Sequence, residues 1–202
     1  MHDRQADDSS TTDQALIART AEGDRRAFEQ LVERHAAAVL RLATAASDPS
    51  TAEDAMQQTF LSVYQQAASF RGEASVRTWL LTIARNTAFR LHGKTQREDL
   101  VEEPLTQLGV QAGWGSDDPE AIAIASERKG ALRGAMAALS AEDQEVLILR
   151  DLEGLRGSEA AEVLGIGLRA LKSRLHRARL RLAASLRSLG TDDEQAPRGA
   201  RP

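Results

Sequence analysis

From Leu168 to Arg187 the chain carries Arg169, Lys172, Arg174, Arg177, Arg179, Arg181 and Arg187, with His176 among them, and not one Asp or Glu. Along the same stretch Leu168, Leu171, Leu175, Ala178, Leu182 and Leu186 recur at steps of three and four. That spacing predicts a helix with one apolar stripe against a core and a basic face left outside. A second helix precedes it, starting near Ser158 and broken at Gly165-Ile166-Gly167. Ala161 stands four residues before Gly165, with Leu164 and Ile166 flanking the glycine. A small residue at a helix crossing, a glycine in the turn and apolar anchors beyond it make helix-turn-helix spacing. A basic helix held out from its domain fits the DNA major groove, where Arg and Lys reach phosphates and purine edges. The plainer alternative is a helical hairpin with a solvated basic face.

The rest of the charge is segregated too. The net charge of −4 argues against nucleic acid only if charge location is ignored. Arg85 to Arg97 holds four Lys or Arg and no acid, and Glu98 to Glu120 holds seven Asp or Glu and no Lys or Arg. This acidic stretch also contains Pro104, Gly109, Gly113, Gly115 and Pro119 with little periodicity, the composition of an interdomain linker.

On either side of it the pattern is helical, with no alternating strand pattern and no internal repeat. A short helix spans Asp13 to Ala21 and closes near Gly23. Asp24 then caps a helix whose core stripe is Phe28, Leu31, Val32, Val39 and Leu42. Ser50-Thr51-Ala52-Glu53 reads as a capping box opening a third helix through Gln66. There Ala52, Met56, Phe60, Val63 and Ala67 point inward, while Asp54, Gln57, Gln58 and Leu61 point out. After the loop from Ser69 to Ala74, a fourth helix carries Val76, Leu80, Ile83 and Thr87 on one side. Beyond the linker, Asp118-Pro119 starts a helix with Pro at its first position, Ser140 caps another, and Gly154 ends it. The expected fold is all-α: two small helical domains joined by a flexible acidic linker, the second containing the helix-turn-helix. Residues 1–12 and 188–202 have the composition of disordered tails.

Several function classes are excluded by composition. With no cysteine there is no disulfide, thiol chemistry or Cys-based metal site. His2, His35, His92 and His176 are too scattered for a metal, so no cofactor is expected. No apolar run approaches the ~20 residues that span a bilayer, and the polar start MHDRQADDSS is no signal peptide. A cytoplasmic protein is the expectation. An enzyme is not expected, because no nucleophile–base pair or Gly-rich phosphate loop stands out.

Five blocks in order, FEQLVERHAAAVLRLA, AEDAMQQTFLSVYQ, FRGEASVRTWLLTIARN, LSAEDQEVLILRDLEGL and LKSRLHRARLRL, resemble the extracytoplasmic-function (ECF) group of the sigma-70 family of RNA polymerase sigma factors. The resemblance covers about residues 13 to 187. It implies a domain over 13–97 that binds core polymerase and recognises and melts the minus-10 element. It further implies a linker over 98–118 and a helix-turn-helix domain over 119–187 that reads the minus-35 element. By that match Asp54, Gln57, Gln58 and Leu61 grip the polymerase. Phe70, Arg71, Gly72 and Ser75 belong to the loop that captures an extruded base, and Arg77, Trp79, Asn86 and Arg90 lie on or near the helix meeting the opened strand. For Trp79 a core position is the alternative, since indoles are usually largely buried. Arg169, Lys172, Ser173, Arg174, His176 and Arg177 match the minus-35 reading surface, whereas Arg179 and Arg181, further along, are expected to meet phosphate or solvent.

The implied partners are core RNA polymerase, promoter DNA and, as is common in the family, an anti-sigma factor, the free chain being a monomer. The chain departs from the family at Arg90, where many relatives have Asp, and at Gly93, where they have a basic residue. Further departures are Arg156-Gly157-Ser158 in place of a polar cap and an aromatic, and Gly167, Arg169 and Ala170 in the reading head. The competing reading is a stand-alone helix-turn-helix repressor or activator. Such proteins typically dimerise on paired half-sites, and no heptad zipper is present.

Overall fold

The computed structural model describes residues 12–47, 49–98 and 119–194, with side chains described for 12–47, 50–93 and 128–188. The expected linker from 99 to 118 and most of both expected tails lie outside the described residues.

Four helices form the N-terminal bundle: α1 (Asp13–Ala21), α2 (Arg25–Ala46), α3 (Pro49–Gln66), continued by a 3-10 turn (Ala67–Ser69), and α4 (Val76–Glu98). Thr12 caps α1, accepting the Ala15 N–H at 3.3 Å. Asp24 caps α2, accepting from the N–H groups of Arg26 and Ala27 while Arg19 closes on its other oxygen at 2.7 Å. That guanidinium, with the backbone donors, holds the Asp24 carboxyl below the usual carboxylate range. Asp13 pins α1 to α2 by accepting from His35 Nε2 at 2.8 Å and Arg34 at 3.1 Å. The expected stripe of α2 is largely buried through Leu31, Val39 and Leu42, with Phe28 edge-on to Phe60 and Tyr64 of α3. At the other end Ala43, Ala46, Ala52, Ala55 and Ala88 bring α2, α3 and α4 into close approach.

The C-terminal bundle consists of α5 (Pro119–Ala137), α6 (Ala141–Leu147), a π turn (Ile148–Leu152), α7 (Gly157–Leu164) and α8 (Leu168–Glu194). Ser140 caps α6 as expected, accepting the Asp143 N–H. The helix does not end cleanly at Gly154. It widens first into the π turn, where the Glu153 N–H reaches back to the Ile148 carbonyl at 2.8 Å, before Gly154 leaves at φ 66°. Such a turn re-aims the side chains that follow it. Here it sets Glu153 inward, almost fully buried.

Three local expectations need correction. Helix α3 opens at Pro49, with proline at its first position where no N–H partner is needed. Ser50 therefore lies inside the helix instead of capping it. Leu168 and Leu186, expected in the core stripe of α8, are 46% and 37% exposed. They stand at the two ends of a helix longer than the bundle it packs on, so only Leu171 and Ala178 are fully enclosed and Leu175 and Leu182 half-buried. Finally, α8 continues to Glu194, past the expected boundary at 188. Gly190 costs a helix about 1 kcal/mol without ending it.

The two bundles pack against each other, α6 on α2 and α7 on α4, and their buried side chains form one continuous apolar cluster.

Candidate polymerase and nucleic-acid interfaces

Three of the surfaces expected from sequence are distinct places on the structure. On α3, Asp54, Gln57, Gln58 and Leu61 are exposed, while Ala55, Thr59 and Val63 between them are buried. Leu61 is 49% exposed and Tyr64, one turn on, 40%, so this polar face carries an apolar patch of the kind that marks a contact surface. Arg90, assigned with the minus-10 group, in fact borders this face. It lines a cleft of about 570 Å³ with Asp54, Gln57 and Gln58 and donates to Thr87 at 3.3 Å.

The loop between α3 and α4 is the second place. Gly72 takes φ 73°, a left-handed backbone that glycine adopts without strain. Ser75 closes the loop as a cap for α4: its Oγ accepts the Thr78 N–H at 3.0 Å and shares a 2.8 Å hydrogen bond with Thr78 Oγ1. Trp79 is half-buried, packing on the core and against Phe70 with ring centroids 5.3 Å apart. It thus combines the two alternatives, a core anchor with one exposed edge beside the loop. Arg71 and Asn86 are exposed. Arg77 is not free: it ends on Glu153 of the other bundle. The loop and the first turn of α7 enclose a cleft of about 600 Å³ lined by Phe70, Gly72, Ser75, Arg77, Arg156 and Glu159.

The third place is the helix-turn-helix. Gly165 stands at φ 63°, and its N–H and that of Ile166 close on the last carbonyls of α7 at 3.1 and 3.0 Å, the left-handed helix stop that the glycine predicts. Arg156, where a polar cap was expected, makes a substitute: Glu159 accepts from its backbone N–H at 2.7 Å and from its guanidinium at 2.9 Å. That pair lowers the Glu159 pKa. Gly157 leaves room for Leu168, since a Cβ there would lie 3.1 Å from Leu168 Cδ1.

On α8, Arg169, Lys172, Ser173, His176 and Arg177 are exposed on one side. Arg174 is half-buried and pairs with Glu142 at 3.5 Å. Arg179 and Arg181, expected at phosphate or solvent, are more than half exposed, and each is also paired with an acid of its own bundle. Arg179 forks onto Asp151, its Nε at 3.0 Å, which raises its pKa, and Arg181 holds the buried Asp143.

Sequence reasoning missed the residues that join the bundles. Glu145, fully buried, accepts from Arg85 Nε at 2.9 Å, and Glu153 accepts from Arg41 Nε at 2.7 Å and from Arg77. Burial drives the Glu145 carboxyl above the usual range in spite of Arg85, and its Oε2 has no hydrogen-bond partner among the described residues. A signal was present: Glu145, Leu149 and Glu153 follow one another at steps of four, which puts both acids in line with a core leucine.

Known proteins fit this geometry. Residues 31–98, the core of the N-terminal bundle, match the model of Sigma-70 region 2, and residues 129–182, which contain the helix-turn-helix, match that of Sigma-70 region 4. The chain is 34% identical over 173 residues to the ECF RNA polymerase sigma-E factor of Haemophilus influenzae, covering 83% of this chain and 92% of that protein. It is 33% identical over 181 residues to the ECF RNA polymerase sigma factor SigM of Mycobacterium tuberculosis, covering 89% and 87%. This chain belongs to the ECF sigma factors. Among solved structures it resembles the sigma factor RpoE of Bartonella quintana, crystallised in complex with the anti-sigma factor NepR, at TM-score 0.63 and 28% identity over 79% of this chain and 96% of that one. An ECF sigma factor directs core RNA polymerase to promoters and assists DNA melting, and the two bundles are its region 2 and region 4 domains.

Proposed function

We propose the following division of labour for this sigma factor. The α3 face of Asp54, Gln57, Gln58 and Leu61 docks on core polymerase, and Arg90, lining the same cleft, borders that contact. Phe70, Arg71, Gly72 and Ser75 form the capture loop for the minus-10 element, supported by Trp79 and flanked by Arg77 and Asn86. On α8, Arg169, Lys172, Ser173, His176 and Arg177 read the minus-35 element, with Arg174 at the margin. The observation that carries this reading is the exposure pattern of α8: these side chains project from the face opposite Leu171 and Ala178, directly after the left-handed stop at Gly165.

The domains run over 13–97 and 119–187, and the acidic segment 98–118 is the tether between them. The chain is a binding factor and not a catalyst; polymerase performs the chemistry. Its place of action is the cytoplasm, and no helix among the described residues is long and apolar enough to cross a membrane. An anti-sigma protein is its proposed inhibitory partner, by analogy with the Bartonella complex. The test is transcription of a fragmented genome by core polymerase with and without this chain, followed by mapping of the 5′ ends. Expected is a discrete set of new start sites sharing two elements. Start sites identical to those of core enzyme alone would refute the reading.

A further inference from the structure

Arg41 and Arg77 come from different helices, α2 and α4, and converge on a single carboxylate. Arg41 reaches Glu153 Oε1 at 2.6 Å, and Arg77 takes Oε2. Two guanidiniums on one carboxylate leave a formal surplus of one positive charge. Arg41 brings Nε and Nη2 to one oxygen and Arg77 brings Nη2 to the other, an arrangement in which two guanidiniums can equally hold the non-bridging oxygens of a phosphate. The arginines are 46% and 38% exposed, whereas the Glu153 side chain is only 3% exposed. The cations are therefore anchored on the N-terminal bundle with one side open to solvent, and the carboxylate is pressed onto them by the other bundle. Arg77 also lines the cleft beneath the capture loop, whose other charged residues are Arg156 and the acids Asp13, Glu73, Glu159 and Glu162, so a nucleic-acid strand entering that loop is drawn to the arginine side of the cleft, and Arg41 adjoins it through the shared Glu153.

We propose that Arg41 and Arg77 form a binding site for a backbone phosphate of the opened promoter strand, and that Glu153 occupies this site in the free chain as an internal stand-in for the phosphate. The proposal rests on the sigma-factor reading and extends it in two respects. Arg41 becomes a nucleic-acid contact, and closure of the bundles becomes a mask on that contact. Arg85 on Glu145 is a second tie in the same closed arrangement, set further inside. A carboxylate tethered by its own chain competes at a high effective concentration, so the free protein binds single strands weakly until polymerase holds the bundles apart. Neutralising Glu153 should release the site.

The chain has no cysteine, so Glu29→Cys and Ala183→Cys, both at exposed positions, give two labelling sites for energy transfer between the bundles. In this full-length protein Glu153→Gln is expected to lower transfer efficiency. It should also raise affinity for a fluorescein-labelled oligo(dT) strand of about 12 nucleotides by roughly threefold or more. The slope of log affinity against log salt should steepen by about 0.7 for each phosphate newly held. Adding Arg41→Ala should remove the gain, and Glu22→Gln, at an exposed acid, controls for net charge. In holoenzyme with wild-type Glu153, Arg41→Ala alone should flatten the salt slope of open-complex formation by a similar amount, a readout that does not depend on how Glu153→Gln folds. Affinity for oligo(dT) unchanged by Glu153→Gln, a gain that survives Arg41→Ala, or an equal gain from Glu22→Gln would each overturn the proposal. If wild-type holoenzyme starts transcription at new sites while these effects are missing, the phosphate site alone fails. Absence of wild-type transcription would remove the sigma reading together with the site that rests on it.

Discussion

Two groups of basic residues, one from each bundle, have opposite surroundings in the free chain. Arg41, Arg77 and Arg85 of the N-terminal bundle each end on a carboxylate supplied by the C-terminal bundle. On α8, Arg169, Lys172 and Arg177 project from their helix with no ion pair among the described residues, whereas Arg174, Arg179 and Arg181 are paired within their own bundle. Arg77 and the α8 residues both serve DNA in the proposed function, yet Arg77 is held by a carboxylate of the other bundle while the α8 residues are left open. The contrast teaches that a basic residue's sequence position does not fix its role; the carboxylates around it sort it. On α8 an arginine held by a carboxylate of its own bundle contributes to the fold, and one without such a partner is available to a phosphate or a base edge; at Arg41 and Arg77 the carboxylate comes from the other bundle and is the mask proposed above.

The largest expected effect lies on neither DNA surface, and it sharpens the comparison by showing that polymerase binding is separate from both. Asp54→Lys reverses a charge on the exposed face of α3 without touching Ala55, Thr59 or Val63. Core-polymerase affinity should fall about tenfold or more, the scale of a like-charge clash in an interface, while helicity by circular dichroism stays the same. Unchanged affinity would assign the polymerase contact elsewhere.

Next in size is Gly165→Ala, which attacks the turn that aims the open surface. A residue with a Cβ at φ 63° costs about 1–2 kcal/mol, and nothing lies within 4 Å of the added methyl, so the loss is conformational. The urea midpoint should drop accordingly, and the minus-35 preference should weaken with it. A midpoint equal to wild type would mean that the turn tolerates the left-handed conformation without glycine.

A smaller effect tests the closed side. Because burial raises the Glu145 pKa, the folded chain keeps a proton there that the unfolded chain has already released. Stability from this group is therefore greatest in acid, and it declines as pH rises from the ordinary glutamate value, about 4.3, through the raised one. Glu145→Gln should remove that decline, so the two urea midpoints should draw apart in favour of the variant across this window. Parallel curves would show that Glu145 ionises as freely folded as unfolded.

Much of this was legible in the sequence, and the reasons differ from residue to residue. Helical periodicity found the stripes of α2, α3 and α4, because a packed face repeats in sequence what it repeats in space. Gly165 was readable because few residues other than glycine stop a helix in the left-handed region. Pro49 was overlooked in favour of Ser50, as two valid start signals stood side by side and only the backbone chose between them. The ties of Arg41, Arg77 and Arg85 could not be read from local pattern. Arg41 and Glu153 are 112 residues apart, and which acid meets which base is fixed by how the bundles dock. Of the site residues, exposure on a single helix was legible, as at Asp54, Gln57 and Gln58. The partners of Arg90, Arg179 and Arg181 were not legible, because they come from other elements.

The central claim, that surroundings divide readers from structural cations on one helix, is tested most directly by a randomised promoter library transcribed with wild-type protein, Arg169→Ala and Arg181→Ala. Arg169→Ala is expected to relax a single minus-35 position by ~1–3 kcal/mol and leave the others as they were. Arg181→Ala, which strands the buried Asp143, should lower output from every promoter alike and keep the wild-type order of preference. Identical profiles for the two variants, or a position relaxed by Arg181→Ala, would contradict the account.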